Sequence, residues 1–200
     1  MGHIITISRQ YGSGGHEIGA LMSKKLGIPY YDNDLIQLAA EESGFSEDHF
    51  RNYDKYATNS FLYSLVRGFQ YHQHATGVWS LEDSIYLTQA KVIRSLAEKG
   101  PCIIIGRCAD NILSEFPKLV KIFIYGSLEF RMKRAVEVNG VAPEKAAETV
   151  KNNDKRRQNY YNYHSDTKWG DMQNYNLCVD SSFWGVENAA TIICDFINSI

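Results

Sequence analysis

Residues 4–19 read Ile-Ile-Thr-Ile-Ser-Arg-Gln-Tyr-Gly-Ser-Gly-Gly-His-Glu-Ile-Gly, and few folds accommodate such a run. The β-branched segment Ile4 to Ile7 predicts a buried strand. The glycines Gly12, Gly14 and Gly15 break it. Ile18, Leu21, Met22 and Leu26 then recur at helical spacing, which predicts a helix over Glu17–Leu26. Strand, glycine turn and helix N-terminus in direct succession make an anion cradle. Glycines let backbone N–H groups turn inward, and the helix dipole adds partial positive charge. A polyphosphate suits such a loop.

The common phosphate loop is G-x-x-x-x-G-K-[ST]. Anchored on Ile5-Thr6-Ile7, this chain has Arg9 at the first glycine, Gly14 at the second and Gly15 at the lysine. His16 stands at the Ser/Thr position that holds magnesium in the consensus. The backbone cradle is kept and two side-chain tools are replaced. Arg9, His16 and Lys24 or Lys25 are candidate substitutes, and the sequence does not choose among them. A glycine-rich turn with no ligand is the alternative.

The 200 residues suit one domain, or one domain with an inserted lobe. A hydrophobic fraction of 44% permits a full core without metal or disulfide. The net charge of −2 offers nucleic acid no bulk attraction. Cys102, Cys108, Cys178 and Cys194 form no C-x-x-C pair and read as reduced thiols, with Cys102 and Cys178 in buried strands. No apolar run reaches membrane-spanning length, so the expectation is a soluble, cytoplasmic protein.

Gly27 stops the first helix, and residues 28–32 form a turn and short strand that leaves Asp32 at its carboxyl end, where ligands gather in parallel α/β sheets. A turn or cap role for Asp32 is the alternative. Asn33 or Asp34 caps a following helix. Residues 46–81 hold aromatics interleaved with Arg51, Lys55 and Arg67, and predict a helical lobe inserted between strands. His72 and His74 read as surface histidines rather than metal ligands. A helix over residues 81–99 is ended by Gly100-Pro101. Cys102-Ile103-Ile104-Ile105 predicts a strand buried on both faces, followed by Gly106-Arg107, where a guanidinium is placed to fork a phosphate. Residues 119–125 predict another buried strand, and Ser127 caps a helix that carries Arg131 and Arg134 on one face. Pro143 opens a long basic and tyrosine-rich helix through residue 163. Residues 175–180 form the last strand, ending in Asp180, and Val186–Ile197 the last helix. Strands alternating with helices predict a doubly wound parallel sheet.

These motifs have a family order. Ile5-Thr6-Ile7 with a glycine loop, Gly106-Arg107 after an apolar strand, Ser127-x-x-x-Arg131-x-x-Arg134, Asp154-x-Arg156 and Leu177-x-x-Asp180-Ser181 occur as they do in cytidylate kinase. Over nearly its whole length the chain resembles the cytidylate kinase-like branch of the nucleoside monophosphate kinases. The resemblance implies an α/β, P-loop kinase-like three-layer fold with about five parallel strands. It implies one domain over residues 1–200, with a helical acceptor-binding lobe at about residues 33–80 and a lid at about residues 140–172. It implies ATP as phosphoryl donor, Mg2+, and a nucleoside monophosphate or other small phosphate-bearing acceptor. Gly12, Ser13, Gly14, Gly15, His16 and Glu17 would meet the donor phosphates, with Arg9 beside them as a candidate phosphate ligand from the loop reading above. Asp32, Arg107 and Asp180 would lie on the acceptor side. Arg131, Arg134, Asp154, Arg156 and Arg157 would serve the transferring phosphoryl group and the lid. The metal anchor is left unassigned. In cytidylate kinase aspartates flank the Gly-Arg pair, where this chain has Ile105 and Cys108. The second lid aspartate is Arg157 and the loop lysine is Gly15. The expected function is phosphoryl transfer, and the alternative is a nucleotide-binding regulatory module without turnover.

Overall fold

The structure, a computed structural model, describes residues 2–32 and 81–200. The chain divides into two compact units, Met1–Asp32 with Leu96–Ile200, and Asn33–Ser95. The predicted lobe at residues 33–80, with its capping Asn33 or Asp34 and its His72 and His74, lies outside the described residues.

The first unit is built on a five-stranded sheet. Its strands are β1 (Ile4–Arg9), β2 (Tyr30–Tyr31), β3 (Cys102–Ile105), β4 (Leu119–Tyr125) and β5 (Leu177–Asp180). The order is β2-β3-β1-β4-β5 and every pairing is parallel. β1 is central, with Ile4 opposite both Cys102 and Leu119. A parallel sheet covered on both faces needs strands apolar throughout, and β3 is buried at every position. Ile5, Ile7, Ile103, Ile105, Ile122 and Ile124 meet Ile18 and Met22 of α1 (Gly15–Leu26) and Ile193 and Ile197 of the C-terminal helix in one core. The opposite side chain, Phe123, packs on Trp169 and Tyr175.

The helices in order are α1, α2 (Leu81–Glu98), α3 (Ala109–Ile112), α4 (Leu128–Glu137), α5 (Ala146–His164) and α6 (Ser181–Ser199). α1 starts two residues before the predicted Glu17 because Gly14, at φ +78, turns the chain at once and accepts the Ile18 N–H at 2.9 Å. It ends on left-handed Gly27, as expected. Ser127 caps α4 by accepting the Phe130 N–H. Pro143 opens a short 3-10 turn, and α5 follows from Ala146. α6 has non-helical backbone at Gly185, so the predicted helix from Val186 is its part beyond that break.

Cys178 departs from expectation. β5 is an edge strand, and Cys178 is only half-buried, whereas Cys102, Cys108 and Cys194 are buried. None of the four forms a disulfide. Among the described residues no helix is long and apolar enough to cross a membrane.

Candidate active site

The chain leaves the carboxyl end of β1 into a loop whose backbone is dictated by its glycines. Gly12 has φ +76, and a Cβ there would lie 2.5 Å from the Arg131 carbonyl oxygen. Gly14 has φ +78, and a Cβ there would lie 2.7 Å from Val186 Cγ2. Between them Ser13 is fully buried, its hydroxyl donating to the Gln10 carbonyl at 2.8 Å. The loop therefore approaches its neighbours more closely than side chains allow, and it delivers the chain into the N-terminus of α1.

A cleft of about 190 Å³ opens over this loop. Arg9, Gly12, Gly14, Gly15, His16, Glu17, Asp32, Arg134 and Arg157 are among its lining residues. Arg9 reaches Asp32 at 3.5 Å, and His16 Nε2 lies 3.3 Å from the other oxygen of the same carboxylate. His16 also meets the edge of the Tyr30 ring. Arg134 pairs with Glu17 at 2.5 Å, which neutralises a carboxylate in the first turn of α1 and leaves the helix end open to an anion. The Nε of Arg134 is buried and has no hydrogen-bond partner among the described residues. Arg157 donates to the Arg9 carbonyl at 2.9 Å and stands over the Tyr11 ring. Loss of water lowers the Arg157 pKa, and the neighbouring charge of Arg9 lowers it further. Three guanidinium groups crowd a small cleft, an arrangement an anion would relieve.

A second layer holds the loop in place. Asp154 on α5 accepts the Tyr11 N–H at 2.7 Å and the Arg131 guanidinium at 2.5 Å. Arg131 is buried, and it also donates through Nε to the Gly126 carbonyl and through Nη1 to that of Tyr11. Arg131 and Asp154 thus fasten the loop to α4 and α5, and neither lines the cleft. Arg156 bonds Asn153 and likewise stands outside the lining. In this region Arg157, the departure from the family pattern, is the α5 side chain that lines the cleft.

Asp32 and Arg107 follow the ends of the paired strands β2 and β3. Gly106, Arg107 and Cys108 have φ of +71, +56 and +54. Left-handed backbone costs a non-glycine residue about 1–2 kcal/mol, and strain of this kind collects at functional turns. Beyond it, Asp110 is buried and accepts the Tyr161 hydroxyl at 2.7 Å. Burial pushes its carboxyl above the ordinary range.

Asp180 lies at the far edge of the sheet from Asp32. β5 and β2 are the two opposite edges of the sheet, so Asp180 is separated from Asp32 by four strand spacings, roughly 19 Å. Its carboxylate caps α6, accepting the Ser182 N–H at 2.9 Å and the Ser182 hydroxyl at 2.5 Å. Two residues were not anticipated. Gln10 holds the Gly126 N–H across to β4, and Tyr11 carries both the Asp154 contact and the Arg157 stack. Their positions beside the glycines were the available signal. Their partners, more than a hundred residues away, were not.

Solved structures share this architecture. An uncharacterized protein from Eubacterium ventriosum superposes with a TM-score of 0.73 at 28% identity, covering 99% of each chain. Shikimate kinase from Acinetobacter baumannii gives 0.55 at 11% identity, with 100% of this chain and 94% of that one covered. A gluconokinase from Sinorhizobium meliloti 1021 gives 0.53 at 14%, with 98% and 94% covered. No curated protein sequence matches. The five-stranded parallel sheet with its glycine loop is the P-loop kinase fold. Within that fold, residues 4–183 match the model of the cytidylate kinase-like family, and the chain belongs to that family.

Proposed function

We propose that this chain is a nucleotide-binding phosphotransferase that moves the γ-phosphoryl group of ATP to a nucleoside monophosphate or a similar small phosphate-bearing acceptor. The family and the fold support phosphotransfer. The observation that carries the reading is the convergence of a glycine loop, a helix N-terminus and the guanidinium groups of Arg9, Arg134 and Arg157 on one cleft.

Phosphoryl transfer needs positioning and positive charge more than covalent help. An acceptor phosphate oxygen attacks the γ-phosphorus, the bond from that phosphorus to the β–γ bridging oxygen breaks, and ADP leaves. The acceptor oxygen is already ionised, so no general base is required. The loop N–H groups hold the donor phosphates. Arg134, whose buried Nε has no partner among the described residues, and Arg157 face the charge that spreads over the transferring group. Arg131 and Asp154 act at one remove by fixing the loop. Arg107, on its strained turn, holds the acceptor phosphate.

Magnesium takes oxygen ligands and is commonly held by one or two carboxylates with substrate phosphates. Among the described residues the carboxylates lining the cleft are Asp32, paired with Arg9 and His16, and Glu17, paired with Arg134. Either carboxylate would fit the ion on giving up its cation, while the imidazole of His16 suits it poorly. Bound magnesium would neutralise part of the donor's charge.

ADP release measured with ATP, Mg2+ and a panel of CMP, dCMP, UMP, AMP and non-nucleotide acceptors tests the reading. It predicts release with at least one monophosphate. Silence across the panel from folded protein would contradict it. The replacement of the loop lysine by Gly15 favours a second reading, a nucleotide-binding module without turnover. That reading predicts stabilisation by ATP with no ADP released.

A further inference from the structure

Resting on the phosphate-loop reading above, we infer that Arg9 is the cation that replaces the loop lysine, and that Gly15 is glycine because the Arg9 side chain occupies its side-chain space.

Gly15 has no backbone reason to be glycine. It is the first residue of α1, and its φ lies outside the left-handed region, unlike Gly12 and Gly14. Glycine in a helix costs about 1 kcal/mol relative to alanine, so something must oppose a side chain. A Cβ on Gly15 would stand 2.7 Å from both Cβ and Cγ of Arg9 and 3.6 Å from its Cδ. The Arg9 stem therefore lies flat against the Gly15 Cα. Further out, a Cβ on Gly106 would stand 2.1 Å from Arg9 Nη1. Gly106, whose φ of +71 favours glycine by itself, leaves room for that far end of the side chain.

The consensus loop places a small residue first and a long cation after the second glycine. Here the long cation stands first, and the small residue occupies the lysine's place. The two positions touch, so one side chain fills the room either could use. Arg9 lines the cleft, and its guanidinium reaches Asp32 at 3.5 Å and the turn at Gly106. The other candidates fit less well. Lys24 and Lys25 lie in the last turn of α1, roughly 14 Å along the helix from the loop. His16 is more than half exposed and faces Asp32 and Tyr30.

The test is a reciprocal exchange in the full chain, with ATP–Mg2+ and inorganic pyrophosphate as probes in calorimetry and thermal unfolding. Arg9→Met keeps the stem and removes the charge. It should weaken both probes by about 10- to 100-fold. Gly15→Lys alone should lower Tm by about 3–10 °C through crowding. Arg9→Gly/Gly15→Lys should recover most of that Tm and bind both probes within about threefold of the parent. Arg9→Lys supplies the charge arm should Arg9→Met fail to fold, and should bind better than Arg9→Gly. Unchanged affinity in Arg9→Met, or a Gly15→Lys chain as stable as the parent, overturns the assignment. A parent that binds neither probe overturns the phosphate-loop reading itself. A parent that binds while Arg9→Met binds equally well overturns only the role of Arg9.

Discussion

At the residue scale the site is made by close approach, and the glycines carry it. Gly12 combines φ +76 with a virtual Cβ only 2.5 Å from a backbone oxygen, so neither strain nor contact can be relieved by a rotamer. Gly12→Ala should destabilise the chain by about 2–3 kcal/mol, a Tm loss of about 4–12 °C. Thermal unfolding by circular dichroism checks it. Asp154 shows the same economy in charge. It is the anionic partner of buried Arg131 and the acceptor for the Tyr11 N–H. Asp154→Ala leaves a guanidinium without its counter-ion in a water-poor place, at a cost of about 3 kcal/mol. Urea unfolding should show that loss, and ATP affinity should fall with it because the loop loses a tether.

At the element scale α5 is both fastener and wall. Through Asp154 and Arg157 it is tied to the phosphate loop, and through Tyr161 to Asp110 on α3. Asp110 makes the second tie pH-dependent. Its native carboxyl binds a proton more readily than the unfolded one, whose value is 3.8. As pH falls from neutrality the native state takes up that proton first, so Asp110 adds stability on the way down to about pH 4. The added stability is lost again as pH rises through the native value. Parent and Asp110→Asn unfolded in urea at pH 7 and pH 5 should therefore show the parent gaining on the variant at the lower pH. The strands were legible in the sequence because both faces of a parallel sheet demand unbroken apolar runs: β3 and β4 have the predicted bounds. The start of α1 and the break at Gly185 were less so, because each depends on one glycine's φ rather than on periodicity. In the site, the loop was legible from its glycines. The filling of Gly15's space by Arg9, the fastening role of Arg131 and the place of Asp180 at the far edge of the sheet were not. Each depends on which strands become neighbours, and spacing along the chain does not encode that.

At the scale of the whole molecule, the strand order gathers the cations. With β1 central, the loop from β1, Asp32 at the end of β2 and side chains from α4 and α5 line one cleft. The central claim is that the loop after β1 is the phosphate site. A ligand at 100 times its Kd stabilises the native state by about 2.7 kcal/mol, or about 5–11 °C in Tm for a chain of this size. Gly14→Val denies the loop its φ of +78 and drives a side chain toward Val186 without altering any charge. Gly14→Ala serves the same purpose if the valine variant does not fold. The most direct measurement is the ATP-induced Tm shift of the parent beside that of folded Gly14→Val. The account predicts a shift of that size in the parent and none in the variant. An equal shift in both would place the nucleotide elsewhere and contradict the account at its centre.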